Sequence, residues 1–178
     1  MTVERVGITD VRRNVKYGLI AGHIASWAIL GLIFAVDLLL RLEAGTFYSV
    51  IGLILGTSIT GAIWVGFALH LITGTVIGLL FGYITTVVGP FRNTSAPKKF
   101  GLAIITGIVS WAVLFLPITF FAVQPALPEI ASMLNQPRLL DVSSQILAGS
   151  IGMHVIYGGI LGFMYYLATL PSPRDYEV

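Results

Sequence analysis

Four stretches of this chain, 17–40, 61–87, 100–123 and 144–170, run almost without charge, and Asp37 is the one carboxylate inside any of them. Each reaches the roughly 20 residues that a helix needs to cross a hydrocarbon core of about 30 Å. No water reaches backbone amides at that depth, so runs of this kind fold as helices that bond internally. Charged residues make up 10% of the chain and the mean hydropathy is +0.92, whereas soluble domains carry about 25% charge. The expected fold class is therefore all-α: a polytopic membrane protein with four transmembrane helices. An apolar segment at 44–60, broken by Gly45, Gly52, Gly56, Thr57, Ser58 and Thr60, precedes the second run. It reads as a short interfacial or re-entrant piece on the outer side.

Basic residues set the expected topology. Residues 1–16 hold Arg5, Arg12, Arg13 and Lys16, and the connector 89–99 holds Arg92, Lys98 and Lys99 with no acid. The other two loops hold only Arg41 and Arg138, and the C-terminal tail has one arginine. Short loops rich in Lys and Arg stay in the cytoplasm. Both termini and the connector are thus expected inside, in a multi-pass protein of the cell membrane. No apolar region followed by a small-residue cleavage site opens the chain, so no removable signal peptide is expected and the first span serves as insertion signal. The N-terminal segment suits either a solvated tail or a basic strip on anionic headgroups.

The chain can be laid on itself at an offset of 84 without a gap. Ser26-Trp27-Ala28 then falls on Ser110-Trp111-Ala112, and His70, Gly74 and Gly78 fall on His154, Gly158 and Gly162. Two clusters sharing one offset point to an internal repeat, about 16–88 and 100–172, in one membrane domain. Each half contains two spans, so the expected repeats are parallel, related by an axis along the membrane normal. His70 and His154 are then expected at similar depth in the outer half of the bilayer.

The histidines admit several readings. Gly66, Gly74, Gly78 and Gly82 follow four-residue spacing around His70, which keeps them close to one helix face. Small residues of this kind let membrane helices approach closely, and a histidine in the seam can bond across it. Alternatively, His70 and His154 could hold a b-type haem, with Gly74, Gly78, Gly158 and Gly162 giving room to the macrocycle and Arg41 and Arg138 facing its propionates. That arrangement is similar in kind to membrane b-type cytochromes, bundles with paired histidines and nearby glycines. A copper, zinc or proton-relay role is a further alternative. His23, about a turn and a half into the first run, is placed to meet interfacial water or a backbone carbonyl, with a ligand role as the alternative. Asp37 stands one turn before Arg41, and an ion pair between them is expected, with a functional role for an ionisable group inside a span as the alternative.

Much other chemistry is excluded. The sequence has no cysteine, which removes thiolate metal sites, iron–sulfur clusters, disulfides and thiol nucleophiles. It carries no G-x-S-x-G, H-E-x-x-H or Walker motif, and no basic face suited to nucleic acid. The leading expectation is an accessory or scaffold subunit of a larger membrane complex, with a respiratory or oxidase-type one as the first candidate, contacting lipid and other subunits and lacking a complete catalytic site. The alternatives are the bis-histidine haem electron carrier and a small transporter or channel.

Overall fold

The computed structural model describes residues 8–92 and 94–170. The expectations for Arg5 and for the arginine of the C-terminal tail lie outside the described residues. Among the described residues the fold is all-helical, and four helices are long and apolar enough to span a membrane: Ile8–Leu39, Ile59–Val87, Ala96–Met133 and Arg138–Thr169.

The first of these, α1 (Ile8–Leu39), begins well before the apolar run, because the polar stretch with Arg12, Arg13 and Lys16 is itself helical. An exposed Arg13–Asp10 pair at 3.0 Å sits in this extension. Such pairs on a surface add about 0–1 kcal/mol. At its other end α1 closes with Arg41 in the left-handed region (φ 59) and a bond from the Leu42 amide back to the Asp37 carbonyl at 2.8 Å. This six-to-one closure satisfies a terminal carbonyl and turns the chain sharply.

The interrupted apolar segment becomes α2 (Thr46–Ile54). It runs antiparallel to the first turns of α3 (Ile59–Val87), with Tyr48 beside Gly66 and Gly52 beside Ala62. Gly45 (φ 90) and Gly56 (φ 78) bracket α2 in backbone conformations that ordinary side chains resist. A short helix, α4 (Gly89–Arg92), leads from α3 to α5 (Ala96–Ser110).

The second half departs from expectation beyond α5. The polar segment 124–142, with Pro125, Pro128, Glu129, Pro137, Arg138 and Asp141, predicts a loop, but the helix continues to Met133. It passes through π-helical turns at Trp111–Phe115 and Thr119–Val123, separated by α6 (Leu116–Ile118), into α7 (Gln124–Met133). Each π turn lies just ahead of a proline, Pro117 and Pro125. A proline lacks its N–H and its ring crowds the carbonyl four residues back. Widening that turn accommodates the clash without ending the helix. Only 134–137 is left as a loop before α8 (Arg138–Thr169).

In the bundle, α1 packs along α3, α5 along α8, and α1 against α8, while α3 meets α5 only lightly. An exact two-fold between the α1/α3 and α5/α8 pairs would make the α1–α8 and α3–α5 interfaces equal, and they are not. One core cluster, with Ala21, Ala25, Ile29, Phe81, Leu161 and Tyr165, lies between the spans. A second joins α2 and the end of α1 to α7 and the start of α8 through Val50, Leu53, Leu127, Ile130 and Leu139.

Candidate functional site

The glycines singled out in the sequence are used by neighbouring helices. Gly18 and Gly22 of α1 face Gly74, Gly78 and Gly82 of α3, backbone to backbone. A Cβ built on Gly22 would lie 2.6 Å from the Gly74 carbonyl oxygen and 2.7 Å from Gly78 Cα. In the second pair, Gly158 rests on the Ala103 carbonyl and Ile104, Gly107 on the His154 carbonyl, and Gly162 on Phe100 and Ala103. The seams are related but not identical, since at offset 84 Gly22 falls on Thr106 and not on Gly107. The second seam therefore uses a face of α5 turned by one residue.

His70 and His154 stand at comparable distances from the C-terminal ends of α3 and α8, but their bonds differ. His70 Nε2 is 3.1 Å from the Ser26 carbonyl of α1. His154 Nδ1 is 2.9 Å from the carbonyl of Ser150, one turn back on its own helix. A carbonyl only accepts, so each nitrogen is the protonated one, and the neutral rings are opposite tautomers. His70 ties two helices together, whereas His154 leaves Nε2 as an acceptor. A run of ring contacts links them: His70 to Tyr48 (5.5 Å), Tyr48 to Phe47 (5.6 Å), Phe47 to Phe115 (6.5 Å) and Phe115 to His154 (5.4 Å).

Tyr48 is the residue at this centre that sequence reasoning missed. Its side chain is fully buried, among Phe34, Phe47, Phe67 and His70, and its hydroxyl has no hydrogen-bond partner among the described residues. An unpaired buried hydroxyl costs about 1–3 kcal/mol. No sequence signal marks it beyond an aromatic in the glycine-punctuated segment.

His23 is bonded through both ring nitrogens. Trp27 Nε1 donates to its Nε2 at 3.0 Å, which leaves Nδ1 to donate to Thr75 Oγ1 at 3.0 Å. Thr75 passes its own proton to the Leu71 carbonyl at 2.6 Å. The imidazole is thus a neutral clasp between α1 and α3.

The chain matches no known family model, curated protein or solved structure.

Asp37 and Arg41 do not pair. The Asp37 carboxylate is buried and accepts the Gly45 amide at 2.9 Å, with the Thr46 and Phe47 amides also reaching it. It thereby caps α2, where the free amides and the helix dipole favour an anion, while Arg41 is exposed in its left-handed turn. Arg138 donates from Nε to the Leu40 carbonyl at 2.6 Å. Gln136 takes the Glu43 amide at 3.2 Å on Oε1 and donates from Nε2 to Thr46 Oγ1 at 3.0 Å. These contacts bind the second half of the chain to the first, and the charges expected to face haem propionates are committed or turned outward. Tyrosines of α8 add two joints to α3. Tyr157 donates to the Gly74 carbonyl, and Tyr165 meets Thr85 at 3.2 Å.

Proposed function

We propose that the chain is an accessory or scaffold subunit of a larger membrane complex, built from two parallel two-helix units with both termini in the cytoplasm of a cell-membrane protein. Respiratory or oxidase-type assemblies are the first place to look for its partners. The observation that carries this reading is how the chain divides its polar and apolar groups. His23, His70, Asp37, Gln136, Arg138 and Tyr157 are spent on joints between the chain's own segments. Yet only between 17% and 28% of each span's most apolar window is buried within the molecule. Large side chains such as Trp64 (69% exposed) and Phe121 (84%) face outward. A rigid, internally bonded bundle with a wide apolar exterior is suited to packing against other embedded helices. Extraction in a mild detergent is expected to recover the chain in fixed stoichiometry with other membrane subunits. Recovery as a stable monomer with an activity of its own would overturn the reading.

A bis-histidine haem has one observation in its favour, the acceptor left on His154 Nε2. The rest of the arrangement does not fit the group: His70 Nε2 holds the Ser26 carbonyl, and the glycines are closed by α1 and α5. Protein made with haem supplied is expected to show no Soret band, oxidised or reduced. A band lost in both His70→Ala and His154→Ala would replace the scaffold reading with electron transfer.

A further inference from the structure

Where the basic connector meets the bundle, the start of α5 and the last turns of α8 leave a cleft of about 120 Å³. Lys99, Thr94, Tyr165, Tyr166 and Thr169 line it, with Gly162 in its wall. Gly162 is what brings α8 close here, since a Cβ on it would come 3.1 Å from the Phe100 ring. Tyr165 forms a fixed wall, buried, stacked edge-on against Phe81 at 5.2 Å and bonded to Thr85. Among the described residues, Lys99 is the charged one of the lining, and it is half-buried.

The surroundings add positive potential. Lys98 is the exposed neighbour of Lys99, and no acid occurs from 90 to 99. Arg13 of α1 brings its charge within electrostatic reach of Tyr165 and pairs with Asp10. Ala96, in the first turn of α5, also lines the cleft. Next to these polar groups the surface is apolar: Phe100, Tyr166 and Leu170 are all exposed.

We propose that this cleft holds the phosphate of an anionic phospholipid. Lys99 supplies the charge, the Tyr166 and Thr169 side chains flank the phosphate oxygens, and the acyl chains run down past Phe100 and Leu170. The shared chemistry is a phosphate oxyanion. Its source is a lipid because the cleft lies at the end of two spans, beside apolar surface, where headgroups reside. Basic pockets between spanning helices are a known physical solution for such headgroups.

The test is native mass spectrometry of the full chain in a mild detergent, with phosphatidylglycerol or phosphatidylcholine of matched chains. Wild type is expected to retain one phosphatidylglycerol at least fivefold more than phosphatidylcholine. Lys99→Gln is expected to lower that retention at least fivefold, and Lys98→Gln to leave it within twofold. Equal retention of the two lipids, or an unchanged Lys99→Gln, would overturn the proposal. Displacement of the lipid by an equal concentration of inorganic phosphate would reassign the cleft to a free anion and overturn it as well. Should Lys99→Gln not purify folded, Tyr166→Phe, exposed at the cleft, decides: weaker retention supports the site, and unchanged retention counts against it.

Discussion

Gly78→Ala is expected to lower the thermal midpoint of the detergent-solubilised protein by about 5 °C, and Gly78→Val to leave little folded protein. The added methyl would lie 2.6 Å from Gly22 Cα and closer still to the Gly18 carbonyl oxygen. Both obstacles are backbone, so no side chain can swing aside, and α1 and α3 must separate. Overpacking of this kind costs about 1–3 kcal/mol, and about 2–4 °C of midpoint accompanies each kcal/mol at this chain length. Separation would also stretch the His70–Ser26 and His23–Thr75 bonds, which cross the same seam. Gly31→Ala and Gly159→Ala are the controls, because a Cβ at either position meets none of the described residues within 4 Å. There the better helix propensity of alanine, up to about 1 kcal/mol, is expected to raise the midpoint slightly. Equal midpoints for Gly78→Ala and Gly31→Ala would show that the seam does not hold the helices together.

Asp37→Ala is expected to free α2 while leaving the spans intact. The carboxylate is 3% exposed and accepts the amides that open α2. Alanine leaves the buried Gly45 amide without its acceptor, and a lost bond to a charged group costs about 1.5–3 kcal/mol. With about 2 kcal/mol removed locally, hydrogen exchange across 45–54 is expected to rise about 30-fold. Exchange in 70–82 of α3 is expected to stay within threefold of wild type. Asp37→Asn, which keeps one acceptor, is expected to fall between the two. Arg41→Ala is expected to match wild type, since the arginine makes no ion pair with Asp37. An Arg41→Ala effect as large as that of Asp37→Ala would restore the pair to importance.

The spans were legible because hydrophobic length is a one-dimensional signal. The second span, expected from 61 to 87, is observed as Ile59–Val87. The glycines were legible as surfaces of close approach, though not which partner would close them. That depends on the rotation of α1 and α5, and four-residue spacing does not encode it. Pro125, Pro128 and Glu129 read as a loop because each disfavours a buried helix locally. The rod tolerates them through its π turns and by carrying Leu127, Ile130 and Ala131 into a core shared with α2. Asp37 read as a partner for Arg41 because sequence spacing shows only neighbours on the same helix. The amides that claim it come from the next helix, eight residues on. Tyr48 gave no signal at all, because burial of a single aromatic is decided by tertiary packing.

The 38-residue rod from Ala96 to Met133 has a mechanical consequence for the bilayer around it. At 1.5 Å per residue it measures about 57 Å, against a hydrocarbon thickness of about 30 Å. The part that must match the hydrocarbon is shorter: the uncharged run 100–123 measures about 36 Å, which a tilt of about 34° fits to that thickness. The last turns, with Gln124 and Glu129, extend beyond it, and Leu127, Ile130 and Ala131 hold them against α2 and the start of α8. The rod therefore stands about 15 Å clear of the hydrocarbon and forms, with α2, a fixed ledge at that surface.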